Sequence, residues 1–163
     1  MIYFLGKVFE SMHCFFRKIW LKLEYGKRIK FGKKVHFRRG FSVIIIGKDA
    51  RLVIGNNNFF NRDCSIACLG KITIGDNNAF GENVTIYDHN HIFNKKEMNQ
   101  KVFAIHDIEI GNDNWICSKV NICAKSRVGN RCVIAACTNY SNRVREDYVL
   151  YRGNHKEEIK IDN

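Results

Sequence analysis

The chain has 163 residues, enough for one domain with a continuous core, and its net charge at pH 7 is +11. It contains seven cysteines, no CxxC motif and no proline. The odd cysteine number disfavours a disulfide-stapled secreted fold and indicates reduced thiols in a cytoplasmic protein. Residues 1–40 hold eleven Lys or Arg and two Glu, so nearly all of the net charge lies in the first quarter of the chain.

Residues 1–28 are predicted to form an N-terminal amphipathic helix. Apolar residues recur there at three- and four-residue steps, namely Leu5, Val8, Phe9, Met12, Phe16, Ile19, Trp20 and Leu23. Charged residues interrupt the segment too often for a membrane span, and it lacks the cleavage site of a signal peptide. Two interpretations stay open: a cap on the end of the following domain, with or without a subunit contact, and a basic aromatic helix on the inner face of the cytoplasmic membrane.

Residues 29–139 carry a six-residue repeat. Its clearest blocks each begin with an aliphatic residue, at Ile110, Ile116, Ile122, Val128 and Ile134. The next position is small in every block: Gly111, Cys117, Cys123, Gly129 and Ala135. This period fits neither an amphipathic helix nor an alternating strand, and it is typical of a parallel β-helix, an all-β fold. An ordinary all-β domain with glycine turns is the less favoured alternative, because the register is kept over so long a stretch.

Three blocks make one coil of eighteen residues, so Ile110 and Val128 are expected to stack. The register extends upstream through Ile54, Ile74 and weaker coils from Ile29. The spacing predicts that Ile74 lies two coils before Ile110. It also predicts a short asparagine ladder formed by Asn58, Asn78 and Asn114. Residues 140–163 are assigned to a charged C-terminal segment outside the core.

The repeat is interrupted after Ile86 and returns at Ile110, which predicts one long excursion loop over residues 92–107. His89 and His91 precede it in an extended stretch, so they are expected on one side, with Asp88 and Asn90 on the other. A neutral imidazole can take a proton from a hydroxyl and return it to a leaving group. From these residues alone, surface histidines or a metal-binding pair remain equally open.

Residues 74–91, 108–122 and 128–137 resemble the hexapeptide-repeat acyltransferases, near the bacterial polysaccharide O-acetyltransferases and the galactoside and maltose acetyltransferases. The resemblance covers about residues 50–155. It implies that the parallel β-helix is left-handed and that the protein is a homotrimer with active sites between subunits. It also implies transfer of an acetyl group from acetyl-CoA to a hydroxyl of a saccharide acceptor, free or lipid-linked, without a covalent enzyme intermediate.

The resemblance also assigns site residues. His91 stands where the family has its catalytic histidine, and His89 is the neighbour found in DHxH variants. Substrate-binding residues are expected to be Asp88, Asn90 and Trp115. Residues expected to contact coenzyme A are Trp115, Cys117, Ser118, Ala136, Thr138 and Arg143. No metal is expected.

The donor motifs depart from the family pattern in three places. Cys117 replaces the glycine of W-I-G-[SA], and Ala135-Ala136-Cys137-Thr138 replaces G-A-G-[ST], so a thiol stands where the thioester arm would run. Ser141-Asn142 replaces the Thr-Lys pair near the phosphates, which leaves Arg143 or Arg145 to supply positive charge.

Two further functions are considered. One is a γ-carbonic-anhydrase-like zinc site that would use His89, His91 and His106. The other is a non-catalytic scaffold whose basic residues 1–40 bind anionic lipid or an acidic glycan. No motif for reading nucleic-acid sequence is present, so specific nucleic-acid binding is not expected.

Overall fold

The computed structural model describes residues 2–93, 98–153 and 155–159. Helix α1 (Ile2–Tyr25) is joined by a short 3₁₀ turn (Gly26–Arg28) to a parallel β-solenoid. The parallel β-helix predicted from the six-residue period is therefore confirmed. Within the described ranges, no helix is both long and apolar enough to cross a membrane.

Three parallel sheets form the faces of the solenoid, and a complete coil contributes one strand to each. Sheet A consists of β1 (Ile29–Phe31), β4 (Arg51–Ile54), β7 (Lys71–Ile74), β12 (Ile108–Ile110) and β15 (Arg127–Val128). Sheet B consists of β2 (His36–Phe37), β5 (Phe59–Phe60), β8 (Ala79–Phe80), β13 (Trp115–Ile116), β16 (Val133–Ile134) and β18 (Val149–Arg152), with β19 (His155–Glu158) antiparallel at its edge. Sheet C consists of β3 (Ser42–Ile45), β6 (Ser65–Cys68), β9 (Thr85–Tyr87), β14 (Asn121–Ile122) and β17 (Asn139–Tyr140).

The core is a set of columns of inward side chains that run along the solenoid axis. Ile110 lies directly beside Val128 in sheet A, as predicted. Phe60 and Phe80 stack in sheet B with ring centroids 4.3 Å apart. Ile74, however, also pairs directly with Ile110. The prediction that two coils separate them was wrong, because a single coil carries the whole excursion and is twice the usual length.

The predicted asparagine ladder is confirmed. Nδ2 of Asn78 donates to Oδ1 of Asn58 at 3.0 Å, and the backbone N–H of Asn114 donates to Oδ1 of Asn78 at 2.9 Å. Oδ1 of Asn114 then accepts the backbone N–H of Cys132 at 2.8 Å. All three asparagines are buried, so these bonds satisfy polar groups at the turn between sheets A and B while tying successive coils together.

The same turn explains why a small residue follows the aliphatic one. A Cβ atom on Gly111 would overlap the carbonyl oxygen of Gly129 in the next coil. A Cβ atom on Gly129 would in turn overlap the carbonyl oxygen of Glu146. Glycine is required there because the backbones of adjacent coils touch.

Helix α1 caps the first coil with polar contacts to its edge. Sγ of Cys14 accepts the backbone N–H of Phe37 at 3.4 Å, and the Tyr25 hydroxyl donates to the carbonyl of Val43 at 3.1 Å. Lys18 Nζ donates to the carbonyl of Val35 in the same coil. The helix thereby covers strand-edge groups that the first coil would otherwise expose.

The side of α1 that packs on the solenoid is not the apolar stripe identified in the sequence. Cys14 and Leu21 are the buried apolar residues on the packed side. The predicted stripe, including Phe9, Phe16 and Trp20, is exposed. Periodicity located the stripe correctly, but the cap uses the opposite side of the helix.

The solenoid continues beyond residue 139, where its end was predicted. Tyr140, Val149 and Tyr151 are buried in the core, the first in sheet C and the other two in sheet B. The prediction ended too early because residues 141–148 lack hexapeptide spacing, although strand β18 afterwards rejoins sheet B. The segment assigned to the C-terminus therefore supplies part of the last coils.

Candidate active site

The excursion, predicted as a loop over residues 92–107, is an antiparallel hairpin that begins earlier, at His89. Strands β10 (His89–Phe93) and β11 (Met98–Ile105) pair between β9 of sheet C and β12 of sheet A. The hairpin therefore leaves the corner where sheet C turns into sheet A. His89 and His91 lie on the same side, as expected, because both rings contact the ring of Phe103, at centroid distances of 5.2 and 4.7 Å.

Asp88 anchors the base of the hairpin and is fully buried. Its carboxylate accepts the backbone N–H of Leu69 at 2.9 Å and that of Gly70 at 2.8 Å. One carboxylate oxygen also lies 3.2 Å from Nδ1 of His89. Asp88 was expected to bind substrate, but its burial prevents direct contact. It holds the preceding coil and orients His89 instead.

A cavity of about 510 Å³ lies beside the hairpin at the corner between sheets C and A. Its lining residues are Asn90, His91, Ile92, Phe93, Ala104, His106, Cys123, Ala124, Lys125, Ser141 and Arg143. The predicted catalytic histidine, one predicted substrate residue and Arg143 thus share one cavity. The cationic side chains of Lys125 and Arg143 suit it to an anionic group.

The other residues expected to bind coenzyme A lie elsewhere in the same chain. Trp115 is 58% exposed on the outer face of sheet B. Cys117, Ser118, Ala136 and Thr138 lie at the corner between sheets B and C, because they follow β13 and β16. One chain therefore does not bring them together with His91.

Two of these residues already use their hydroxyl groups within the fold. Ser118 Oγ accepts the backbone N–H of Glu82 at 3.1 Å. Thr138 is buried, and its Oγ1 accepts the N–H of Gly153 at 3.1 Å. Thr138 was expected to contact coenzyme A, but it is buried, whereas Ala136 and Cys137 just before it are exposed.

Sequence reasoning missed one residue of the cavity and one surface feature outside it. Lys125 was not singled out, because it stands in an ordinary turn of the repeat. The second is an outward apolar row on sheet B, in which each residue precedes an inward core residue and pairs with the next coil. The row consists of Phe59, Ala79, Trp115, Val133 and Leu150. Consecutive apolar pairs such as Trp115-Ile116 were the available signal.

The zinc alternative has no support in the described part of the chain. No three His, Cys, Asp or Glu side chains converge there as metal ligands. All seven cysteines are free thiols. Desolvation raises the pKa of the Cys64 thiol to about 11 and that of Cys68 to about 12, which disfavours reactive thiolates at these positions.

No protein-family description and no curated protein matches the chain. Among solved structures, it is similar to a hexapeptide-repeat-containing acetyltransferase from Vibrio cholerae O1 biovar eltor in complex with acetyl-CoA. That match has 24% identity and a TM-score of 0.69, and it covers 88% of this chain and 75% of the other. A galactoside acetyltransferase in complex with coenzyme A matches with 25% identity and a TM-score of 0.67, over 80% of this chain and 64% of its own. The chain has the fold of hexapeptide-repeat acetyltransferases.

Proposed function

We propose that the protein transfers an acetyl group from acetyl-CoA to a hydroxyl group of a saccharide, with His91 as the general base. The observation that carries this proposal is the place of His91, on a paired hairpin at the wall of a cavity that also contains Lys125 and Arg143. Similar solenoids contain acetyl-CoA or coenzyme A, and one of them is a galactoside acetyltransferase.

The proposed reaction needs one base and close positioning of two substrates. The imidazole of His91 removes the proton of the acceptor hydroxyl while the hydroxyl oxygen attacks the thioester carbonyl carbon. The carbon–sulfur bond then breaks, and the imidazolium returns the proton to the departing thiolate. Binding both substrates in one cleft supplies much of the rate enhancement.

His89 and Asp88 support the base in this proposal. The buried carboxylate of Asp88 holds the ring of His89 at Nδ1, and both histidine rings pack against Phe103. His91 therefore packs against Phe103, beside a histidine whose ring contacts the buried carboxylate. Asn90 lines the cavity and is available to bind the acceptor.

The proposed donor site uses two subunits, because one chain separates its parts. Trp115 and Cys117 of one subunit would face the His91 cavity of a neighbour, and Arg143 and Lys125 would bind coenzyme A phosphates. The apolar row on sheet B offers a surface for this contact, because its member Trp115 is exposed in the single chain. We therefore propose a homotrimer with three shared sites, working in the cytoplasm.

Release of free coenzyme A thiol tests the proposal. Purified protein is incubated with acetyl-CoA and a panel of saccharides, with amino sugars included to separate oxygen from nitrogen acceptors. Acceptor-dependent thiol release and an acetyl ester in the product are expected.

Calorimetry with acetyl-CoA tests the donor site separately. If neither turnover nor binding is found, the non-catalytic scaffold is favoured. The Cys117→Gly variant then shows whether the thiol at this position crowds out the thioester arm, because binding would be restored.

A further inference from the structure

Helix α1 presents an unpartnered apolar side to solvent. Phe9 is 69% exposed, Phe16 61%, Trp20 60% and Leu23 77%. Met12, Phe15 and Ile19 extend the same exposed surface. Soluble monomers rarely expose so many large apolar side chains together, so the surface indicates a binding partner.

The direction of this surface follows from the cap. With 3.6 residues per turn, Cys14 and Leu21 lie on the side of α1 opposite to Met12, Ile19 and Leu23. Cys14 and Leu21 are buried against the first coil. The apolar side therefore points away from the solenoid.

Exposed lysines are concentrated at this end of the molecule. Lys22 flanks the apolar side on the helix, Lys27 lies in the following 3₁₀ turn, and Lys30, Lys33 and Lys34 lie in the first coil. All five are exposed, and among the described residues none of them is in an ion pair. An apolar surface rich in aromatic residues and bordered by lysines matches the interface of an anionic bilayer, with acyl chains beneath acidic headgroups.

We propose that α1 binds the surface of an anionic phospholipid membrane through this apolar side, with the solenoid standing end-on above it. The helix lies in the interface and does not cross the bilayer. Self-association of α1 is the less suitable use of the surface, because it would bring the lysines of each copy together. This inference does not depend on the proposed acetyl transfer. In a trimer, three helices would act together and strengthen the binding.

Co-sedimentation of the full chain with vesicles tests the proposal. Vesicles of phosphatidylglycerol mixed with phosphatidylcholine are compared with phosphatidylcholine alone. The Phe16→Ser/Trp20→Ser double variant should bind the anionic vesicles roughly a hundredfold more weakly, since it loses two buried aromatic side chains. Val144→Ser is the matched control, because Val144 is 59% exposed at the opposite end of the solenoid. This variant should bind the vesicles normally.

The lysines are tested with Lys33→Glu/Lys34→Glu, which should weaken binding to anionic vesicles at least tenfold, and added salt should weaken the binding of the unmodified protein. Equal binding to both vesicle types, or none to either, contradicts the proposal. Melting curves establish that each variant is folded. Sedimentation velocity reveals the competing use of the surface: a smaller assembly in the double variant, with vesicle binding unchanged, would identify a protein interface instead.

Discussion

Asp88 and His89 are neighbours in the chain, yet one is buried and the other reaches the surface at the base of the hairpin. A carboxylate oxygen of Asp88 lies 3.2 Å from Nδ1 of His89. The same carboxylate accepts backbone N–H groups from the preceding coil. The point where the hairpin leaves the solenoid is therefore fixed by the residue that also orients the first histidine.

Asp88→Asn should destabilise the fold, because an amide NH₂ would replace one acceptor oxygen and face a backbone N–H of Leu69 or Gly70. The expected loss is about 1–3 kcal/mol, as for a buried donor left without its acceptor. Guanidinium unfolding measures it. Asp113→Asn is the matched control, since Asp113 is exposed and its Oδ1 accepts a single bond from Asn77. An equal loss of unfolding free energy in both variants would show that the buried Asp88 contacts stabilise the fold no more than an exposed hydrogen bond does.

Mixed subunits should recover activity if each site is shared between chains. His91→Ala and Trp115→Ala proteins are expected to be weakly active alone. After reversible dissociation and mixing, some subunit interfaces would combine an intact His91 from one subunit with an intact Trp115 from another. Turnover of the mixture should exceed that of both parents, and sedimentation measures the assembly. No recovery in confirmed mixed trimers would contradict a site that combines His91 of one subunit with Trp115 of another.

Arg143→Ala should weaken acetyl-CoA binding about tenfold or more, because a charge-assisted contact to phosphate would be lost. Arg143 lines the His91 cavity, whereas Arg145 does not. Arg145→Ala is therefore the matched control and should bind normally. Calorimetry with acetyl-CoA measures both. If Arg145→Ala has the larger effect, the phosphates bind outside this cavity.

In acid, the protein should lose the stability that a surface ladder of hydrogen-bonded Asn and Asp residues contributes. The backbone N–H and side chain of Asn56 hydrogen-bond to Asp76 and hold its pKa below the usual 3.8. A carboxyl group whose pKa is lowered by folding stabilises the protein at pH values above its unfolded-state pKa. This stabilisation is lost as the pH falls through its folded-state pKa. Asp76→Asn keeps an acceptor and should show a shallower fall of melting temperature below pH 3.8. Asp49→Asn, at an exposed turn, is the control, and identical slopes in all three proteins would contradict the expectation.

Much of the solenoid follows from the spacing of residues alone. Ile110 and Val128 stack because a coil has three six-residue blocks, and the buried asparagines align for the same reason. Ile74 was misplaced because the hairpin insertion happens to have the length of a coil. Spacing alone cannot distinguish an added coil from an excursion of that length.

Orientation and assembly were harder to predict. The amphipathic pattern of α1 marks an apolar side, but it does not state what that side contacts, and the solenoid binds Cys14 and Leu21 instead. Likewise, the family motifs named Trp115 and His91 as parts of one site, although a single chain places them on different faces. Left-handed coiling stays a prediction from the resemblance.

Steady-state turnover of His91→Ala is the sharpest test of His91 as the general base of an acetyl transfer. Thiol release should fall by about a hundredfold or more, with acetyl-CoA affinity and the circular dichroism spectrum nearly unchanged. His155→Ala, at an exposed position of β19, is the matched control and should keep normal turnover. Near-normal turnover in His91→Ala, together with an inactive His89→Ala, would contradict the claim and move the role to His89.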